Sequence, residues 1–260
     1  MILSRRVALG GVQLDEIHDA IVIRSIDAGV PHENIQAVNR MGGFGQRITG
    51  QHWENKEVQV TFAINANKKD FALRRELWDA VINWALRGGW LTTNEVPGRR
   101  MYVDKTVLPN IGDLWEWTSD YTLTFRAYGI PFWQDETPVT AGLDSVSNGR
   151  VLVDVPGHFQ TVADVNFQNI SGATIPNIRI GAGSNTIELR GVNLTASETL
   201  KITHGTDGIL KIMAGSRNVY GKRTAASADD LFLDPGTGRA VSVNADRAGK
   251  LTVNVFGRYA

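Results

Sequence analysis

The chain has 260 residues, with 27 basic and 27 acidic side chains and no cysteine, and this length suits two ordinary domains or one large β domain. The charge balance excludes a global basic field that would bind nucleic acid non-specifically. The lack of cysteine excludes disulfides, thiol nucleophiles and thiolate metal ligands.

Near the start of the chain, Arg5 and Arg6 are followed by an apolar stretch that is too short for a secretory signal. No later segment approaches the roughly 18 apolar residues of a membrane span. We therefore expect a soluble, unexported protein that does not enter a membrane.

The first 66 residues contain strand patterns around one polar segment. Lys56–Ile64 has the period of two that is typical of a strand, with its apolar face formed by Val58, Val60, Phe62 and Ile64. Before it, His32–Asn55 is polar and carries glycines at positions 42, 43 and 45, which indicates an extended loop or a long hairpin tip. Loops of this length in compact domains are usually functional or ordered by a partner.

One segment, Lys68–Arg87, has the period of a helix. Asn67 or Asp70 is suited to cap its start and Gly88 its end. Its apolar face consists of Leu73, Leu77, Val81 and Trp84. We interpret this face as core packed on a sheet, not as a ligand site.

A strand closes the first part of the chain. In Asp120–Trp133, the apolar residues Tyr121, Leu123, Phe125 and Ala127 alternate with polar ones before Pro131, where the missing N–H ends the ladder. All seven tryptophans lie at or before Trp133, and a polar stretch over Asp135–Gly142 is interpreted as a linker. The sequence therefore predicts a mainly β protein with two domains, residues 1–138 and 139–260.

The second part consists of short apolar runs separated by turn residues, without any window of helical period. This pattern predicts an antiparallel sandwich. The predicted strands are Arg150–Val155, Val162–Ile170, Asn185–Leu189, Thr199–Thr203, Gly208–Met213, Ala240–Val243 and Leu251–Gly257.

Residue types that carry chemistry are present but form no reactive pattern. The five histidines show no pair at a zinc-ligand spacing, and no Gly-x-Ser-x-Gly motif occurs. The acidic group Asp15, Glu16 and Asp19 is interpreted as solvated, and the glycine-rich Gly42–Gly45 and Pro235–Gly238 lack the Lys-Ser/Thr of a phosphate loop. We expect no catalytic, cofactor-binding or metal-binding residues, no cofactor, and no enzymatic activity.

The order of elements resembles that of the siphophage distal tail (Dit) family. The resemblance is carried by the helix ending LRGG, the loop Val96–Asp104, the closing strand DYTLTFRAYGIPFW, the segment Ser147–Gly157 and the late DDLFLDPG. It covers nearly the whole chain. It implies an N-terminal β-sandwich-like domain with one α-helix and a C-terminal galectin-like antiparallel β-sandwich.

The resemblance also implies a structural function. A Dit protein is a distal tail adaptor in the virion, a homo-hexameric ring of N-terminal domains that links the tail tube protein to the tail hub. Tape-measure or receptor-binding proteins are further partners, and DNA passes through the lumen without specific binding. The expected location is the phage tail tip, after assembly in the cytoplasm of the host bacterium.

A closed ring needs heterologous contacts between copies, and the long segment Gly42–Gly50 is a candidate for reaching a neighbour. In this segment and just before it we select Arg40, Phe44 and Arg47 as contact residues, with a solvent-exposed loop as the alternative. Two other functions stay open at this point: a carbohydrate-binding adhesin module of a phage tail, and a tail-associated hydrolase.

Overall fold

The computed structural model describes residues 5–39, 46–67, 70–109 and 120–260. The chain divides into two compact units, the first formed by Met1–Trp133 with Ala260 and the second by Gln134–Tyr259. This division lies slightly before Pro138, the boundary that the sequence predicts.

The first unit consists of antiparallel strands and, among its described residues, one α-helix. In chain order they are β1 (Val7–Leu9), β2 (Val12–Gln13), β3 (Ile21–Asp27), β4 (Glu33–Asn39), β5 (Gln46–Trp53), β6 (Lys56–Ile64), α1 (Phe71–Ala85), β7 (Gly89–Thr93), β8 (Arg99–Val103), β9 (Lys105–Val107) and β10 (Asp120–Ala127). The strand orders within this unit are β2-β1-β7-β8, β3-β6-β10-β9 and the separate pair β4-β5. A short strand, β11 (Trp133–Asp135), follows at the division.

The core of the first unit lies between the β6–β10 pair and the helix. On β10 the alternate residues Tyr121, Leu123, Phe125 and Ala127 are buried, as their period predicts. Val60 pairs with Leu123 in the antiparallel register. The Trp84 ring of α1 meets the Phe125 ring edge-on, with centroids 5.8 Å apart, so the aromatic face of the helix is core.

Helix α1 confirms the predicted helix but is shorter than Lys68–Arg87. The side chain of Asp70 accepts a hydrogen bond from the Leu73 amide at 3.0 Å and so caps the first turn. At the other end, Gly88 and Gly89 have φ of +65° and +104°. Glycine adopts this left-handed backbone without strain, which lets the chain leave the helix and enter β7 directly.

The second unit contains β12 (Val139–Val155), β13 (Thr161–Asn169), β14 (Ile175–Ala182), β15 (Asn185–Leu194), β16 (Thr199–His204), β17 (Leu210–Ala214), β18 (Arg217–Asn218), β19 (Phe232–Leu233), β20 (Gly236–Val255) and β21 (Arg258–Tyr259). The two longest, β12 and β20, pair along most of their length. The C-terminal part of β20 pairs with β13 and its N-terminal part with β14. The sheet thereby curls into two layers around one core, which confirms the predicted antiparallel sandwich.

Two predicted boundaries in the second unit are wrong, and one strand was not predicted. The predicted linker Asp135–Gly142 contains the start of β12, and Gly142 fits there because a Cβ would lie 2.6 Å from the Leu251 carbonyl oxygen of β20. The two strands predicted between Ala240 and Gly257 are one bent strand. Strand β14 has no counterpart among the predicted strands; it contains Pro176, which sits at an irregularity in its pairing with β15.

Candidate functional site

The segment selected for contact between copies is a two-stranded hairpin. Strands β4 and β5 pair antiparallel from Glu33 opposite Trp53 to Asn39 opposite Gln46, and we call this pair the hairpin arm. The sequence left an extended loop or a hairpin open over His32–Asn55, and the described residues on either side of 40–45 form a pair of antiparallel strands. Residues 46–50 are therefore strand, not the loop that we expected over Gly42–Gly50, and residues 42–45 lie outside the described residues.

The three residues selected within this segment have different outcomes. Arg40 and Phe44 lie outside the described residues. The backbone of Arg47 lies in β5 opposite Val38, near the far end of the arm. Their role as contact residues stays a prediction.

The root of the hairpin arm is attached to the first unit by backbone and aromatic contacts. The His32 amide donates to the Asn55 carbonyl at 2.7 Å, and the Glu54 amide donates to the His32 carbonyl at 2.9 Å. The Trp53 ring meets the Phe132 ring edge-on at 5.8 Å between centroids. These contacts fix the direction in which the arm leaves the unit.

A buried lysine lies beneath this root. Lys56 is fully buried, and its Nζ donates to the Gly29 carbonyl at 2.6 Å and lies 5.9 Å from the centre of the Trp133 ring. Burial lowers the pKa of Lys56 to about 8, although the negative charge of Asp27 opposes this change. The alternation of buried residues on β6 extends back to Lys56, so the period of two in the sequence could have predicted that this lysine is buried.

The chain between β3 and β4 packs closely on β6. Gly29 has a φ of +51°, and a Cβ there would lie 2.3 Å from the Glu57 carbonyl oxygen. Only glycine fits at this distance. Between this segment and β6 lies an open groove of about 440 Å³, which we call the base groove; its lining residues are Asp27, Gly29, Val30, His32, Asn55, Glu57 and Gln59.

The base groove carries two carboxylates. The Glu57 carboxylate pairs with the Arg126 guanidinium across the β6–β10 ladder at 2.7 Å. Asp27 is exposed, and one of its oxygens accepts a hydrogen bond from the Gly29 amide at 3.0 Å. The groove therefore presents acidic and amide groups at the root of the arm.

The second unit contains a buried charged cluster around His204. The two ring nitrogens of His204 lie 2.9 Å from Asp164 and 2.5 Å from Asp230. Burial alone would lower the pKa of His204, but the hydrogen bonds and charges of the two carboxylates outweigh it and raise this pKa to about 9. Burial also lowers the pKa of the nearby Arg258 to about 10, against the charges of the same carboxylates.

This cluster is the arrangement in the described residues that comes nearest to a catalytic triad, and its geometry does not suit one. A general base needs an imidazole nitrogen that accepts a proton from a nucleophile. Both nitrogens of His204 face carboxylates, and the raised pKa keeps the ring protonated at neutral pH. No spacing in the sequence brings His204, Asp164 and Asp230 together.

Within the described ranges, no group of three or more histidine and acidic side chains is placed to hold a metal ion. The acidic residues Glu16 and Asp19 are exposed, as expected for solvated groups, whereas Asp15 is half-buried and its Oδ1 is buried without a hydrogen-bond partner among the described residues. In the same part of the chain, no helix has the length and apolar character needed to cross a membrane.

The fold and the site define a class of protein: a two-unit, mainly β chain with one described α-helix, a separate two-stranded hairpin and no catalytic constellation in its described residues. It is similar over 97% of its length to 98% of the SPP1 Dit (gp 19.1) protein, described as a paradigm of the hub adsorption apparatus in phages that infect Gram-positive bacteria, with a TM-score of 0.68 and 12% sequence identity. The resemblance to distal tail proteins is therefore confirmed at the level of the fold. No protein-family model and no curated protein matches the chain.

Two further similar structures are chains of the phage P2 baseplate in its activated conformation. The chain from the form with Ca has a TM-score of 0.49 and 8% identity, with 98% of both chains covered. The chain from the form with Sr has a TM-score of 0.45 and 7% identity, with 96% of this chain and 97% of that chain covered. Both TM-scores are below 0.5, and only the similarity to the SPP1 Dit protein supports the proposal below.

Proposed function

We propose that this chain is a structural virion protein of a phage tail, a distal adaptor that links the tail tube to the tail tip and the host-adhesion apparatus. The observation that carries the proposal is the similarity of the whole chain, through both units, to the SPP1 Dit protein. A similarity confined to one unit would support only a shared module. Full coverage of both chains supports a shared architecture.

In this proposal residues 1–138 form a homo-hexameric ring, and residues 139–260 lie outside it as a separate domain. A ring is built from heterologous contacts, in which one surface of each copy meets a different surface of the next. The hairpin arm supports this arrangement because it is a separate two-stranded sheet that leaves the body of its unit. Arg40, Phe44 and Arg47 remain the proposed contact residues.

The ring encloses a lumen through which DNA passes. A conducting lumen must not bind phosphates strongly. Residues 1–138 carry 15 basic and 17 acidic side chains, which is compatible with weak interaction. The proposed partners are the tail tube protein, the tail hub and tape-measure or receptor-binding proteins, in a virion assembled in the cytoplasm of the host bacterium.

The adaptor role requires no catalysis, and we propose that the chain is not an enzyme. The contacts of both His204 ring nitrogens with carboxylates support this view, because they leave neither nitrogen to act as a general base. Glycan binding through the second unit would need an exposed aromatic platform, and this unit contains no tryptophan. A glycan array and a peptidoglycan turbidity assay test these two alternatives directly.

Electron microscopy of the concentrated protein or of an assembled tail tip tests the ring. We expect sixfold rings with an open lumen and the second domains at the periphery. A ring held by individually weak contacts forms, by mass action, only at high protein concentration. Dilute protein is therefore expected to be monomeric. A stable closed dimer, or rings built by residues 139–260, would contradict the proposal.

A further inference from the structure

We infer that one outer face of the second unit binds the phosphate groups of a sugar or polyol polymer. This face lies on four neighbouring strands, β12, β20, β14 and β15, and we call it the basic face. Its residues are Arg150, Arg179, Gly181, Thr186, Ser242 and Asn244. All of them belong to the second unit, so the inference does not depend on the proposed ring.

The pairing of the strands brings these side chains to one face of the sheet. Residues that lie opposite each other in an antiparallel ladder share a face. Ser242 of β20 lies opposite Arg150 of β12 on one side and opposite Gly181 of β14 on the other. Arg179 precedes Gly181 by two residues and therefore points to the same face. The residues that alternate with these four are buried in the core, so the face itself is turned to solvent.

Gly181 leaves a shallow depression at the centre of the basic face. A Cβ at this position would lie 2.7 Å from the Ser242 Oγ and 3.5 Å from the Thr186 Oγ1. Both hydroxyl groups therefore border the space above the glycine and can donate to one group placed there. Since neighbouring strands are about 4.8 Å apart, the Arg150 Cα lies about 10 Å from the Gly181 Cα, and the Arg179 Cα about 7 Å away along β14. Both long arginine side chains can reach the depression.

The two arginines of the basic face are available to a ligand. Both are exposed, and among the described residues neither Arg150 nor Arg179 takes part in a side-chain hydrogen bond or an ion pair. The acidic side chains nearby are already engaged. Glu188, opposite Arg179, pairs with Arg190 at 2.9 Å, and Asp246 accepts a hydrogen bond from a backbone amide at 3.0 Å. The face therefore carries an excess of positive charge.

Two guanidinium groups and two hydroxyl groups around one depression suit a phosphate. Guanidinium groups form parallel N–H···O bonds with phosphate oxygens. The oxygens of a phosphate are arranged tetrahedrally, so donors can approach it from several directions. A carboxylate has its two oxygens in one plane, and a single guanidinium satisfies both. A phosphate above Gly181 would use the arginines and the hydroxyl groups of Ser242 and Thr186 together.

The residue types that the face lacks narrow the class of polymer. No aromatic side chain occupies an outward position of β12 at 148–152, β14 at 177–181, β15 at 186–190 or β20 at 240–246. Single-stranded nucleic acids bind through bases stacked on aromatic side chains, and protein interfaces depend on aromatic anchors. The face instead offers the amides of Asn148 and Asn244, which are paired across the ladder and can bind hydroxyl groups. This chemistry favours a phosphate-bearing sugar or polyol polymer.

Isothermal titration calorimetry of the full chain with a synthetic glycerol phosphate oligomer tests the site. We expect binding that weakens as salt rises, because contacts with phosphate release counterions. Arg150→Gln with Arg179→Gln should weaken binding at least about tenfold, since charge-assisted hydrogen bonds are lost. The control is Lys201→Gln with Lys211→Gln, which removes two exposed cations from β16 and β17, strands that pair with none of the four. The control should bind within about twofold of the parent, because exposed charges that do not contact the ligand contribute little.

A second variant changes the shape of the site and leaves its charge unchanged. Gly181→Ala with Ser242→Ala fills the depression and removes one hydroxyl group, and alanine at 242 has no Oγ for the new Cβ to touch. We expect this variant to bind about threefold to tenfold more weakly, the scale of a lost hydrogen bond, with the salt dependence of the parent. Its melting temperature, measured beside that of the parent, shows whether the unit is folded.

Three results would overturn the inference. The first is no binding of the oligomer by the parent at millimolar concentration. The second is an equal loss in the arginine and lysine variants, which would mean that only net charge matters. The third is tighter binding of polyglutamate or of single-stranded DNA of the same charge, which would assign the face to an acidic protein or a nucleic acid. None of these results bears on the ring, which micrographs test separately.

Discussion

Two buried cations show how single residues depart from their ordinary chemistry in this fold. The pKa of Lys56 is lowered because the charge of Asp27 offsets only part of the cost of burying the ammonium group. The pKa of His204 is raised because two carboxylates bind its protonated ring. The first holds the root of the hairpin arm through the Gly29 carbonyl. His204, at the end of β16, contacts Asp164 of β13 and Asp230, and so links separate segments of the second unit.

We expect the stability of the second unit to depend on pH through His204. The folded state binds this proton more tightly than the unfolded state, whose pKa is near 6.5. The contribution is therefore complete below pH 6.5, declines as pH rises, and is lost above the folded pKa of about 9. Its full size is about 3 kcal/mol, at about 1.4 kcal/mol for each pKa unit.

Urea unfolding followed by circular dichroism between pH 6 and 9 measures this effect in the full chain. His204→Gln should reduce the stability most at pH 6 and remove the decline. His158→Gln, which changes an exposed histidine of the same unit, is the control and should keep the parent pH dependence. A His204→Gln variant with the same pH dependence as the parent would contradict the assignment.

At the scale of elements, α1 is held by its aromatic face. Trp84 is 2% exposed, its Nε1 donates to the Val12 carbonyl at 2.8 Å, and its ring contacts Phe125. On the opposite side, Arg75 pairs with Asp79 at 3.1 Å where both side chains are half exposed. The helix is therefore stabilised by burial and not by its surface ion pair.

We expect Trp84→Ala to destabilise the first unit by about 3 to 5 kcal/mol, since it opens a cavity and leaves the Val12 carbonyl without its donor. Arg75→Ala is the control and should cost about 0.3 to 0.5 kcal/mol. Chemical unfolding followed by the fluorescence of the other tryptophans measures both, because all seven lie at or before Trp133. Equal, small changes would mean that the helix does not pack through this face.

At the scale of the whole molecule, each unit has its own core. The buried hydrophobic cluster of the second unit is formed entirely by residues from Val146 to Val255. A core drawn from one continuous segment is the property of a domain that folds alone. The exposed residues Glu136 and Thr137 lie just before β12, close to the boundary that the sequence predicts.

We therefore expect residues 134–260, produced alone, to unfold cooperatively on heating. In the full chain, a protease specific for glutamate should cut after Glu136 before it cuts within β12, whose backbone is paired with β20. Mass spectrometry of the first fragments gives the site. A random-coil spectrum for residues 134–260, or early cleavage inside β12, would contradict independent domains.

Local periodicity was sufficient for the elements that repeat a simple pattern. The alternation on β6 and β10 and the spacing of Leu77, Val81 and Trp84 on α1 could be predicted because the period of a strand or a helix decides which residues share a face. The same reasoning predicted a mainly β fold, whereas the distal tail fold was implied only by the resemblance of the element order to that family. The agreement of the predicted strands and helix with the structure reflects physics that acts between residues close in sequence.

Contacts between distant residues were decided only by the tertiary structure. Pro176 lies at an irregularity in the pairing of β14 with β15, and β20 approaches β13 so closely at Gly249 that a Cβ there would lie 2.2 Å from the Phe167 ring. His204 meets Asp164 and Asp230 only because β13, β16 and the segment before β19 come together. The base groove likewise exists only where the segment after β3 packs on β6. The periodicity of the sequence does not reveal such contacts, because they are formed by burial between segments that are far apart in the chain.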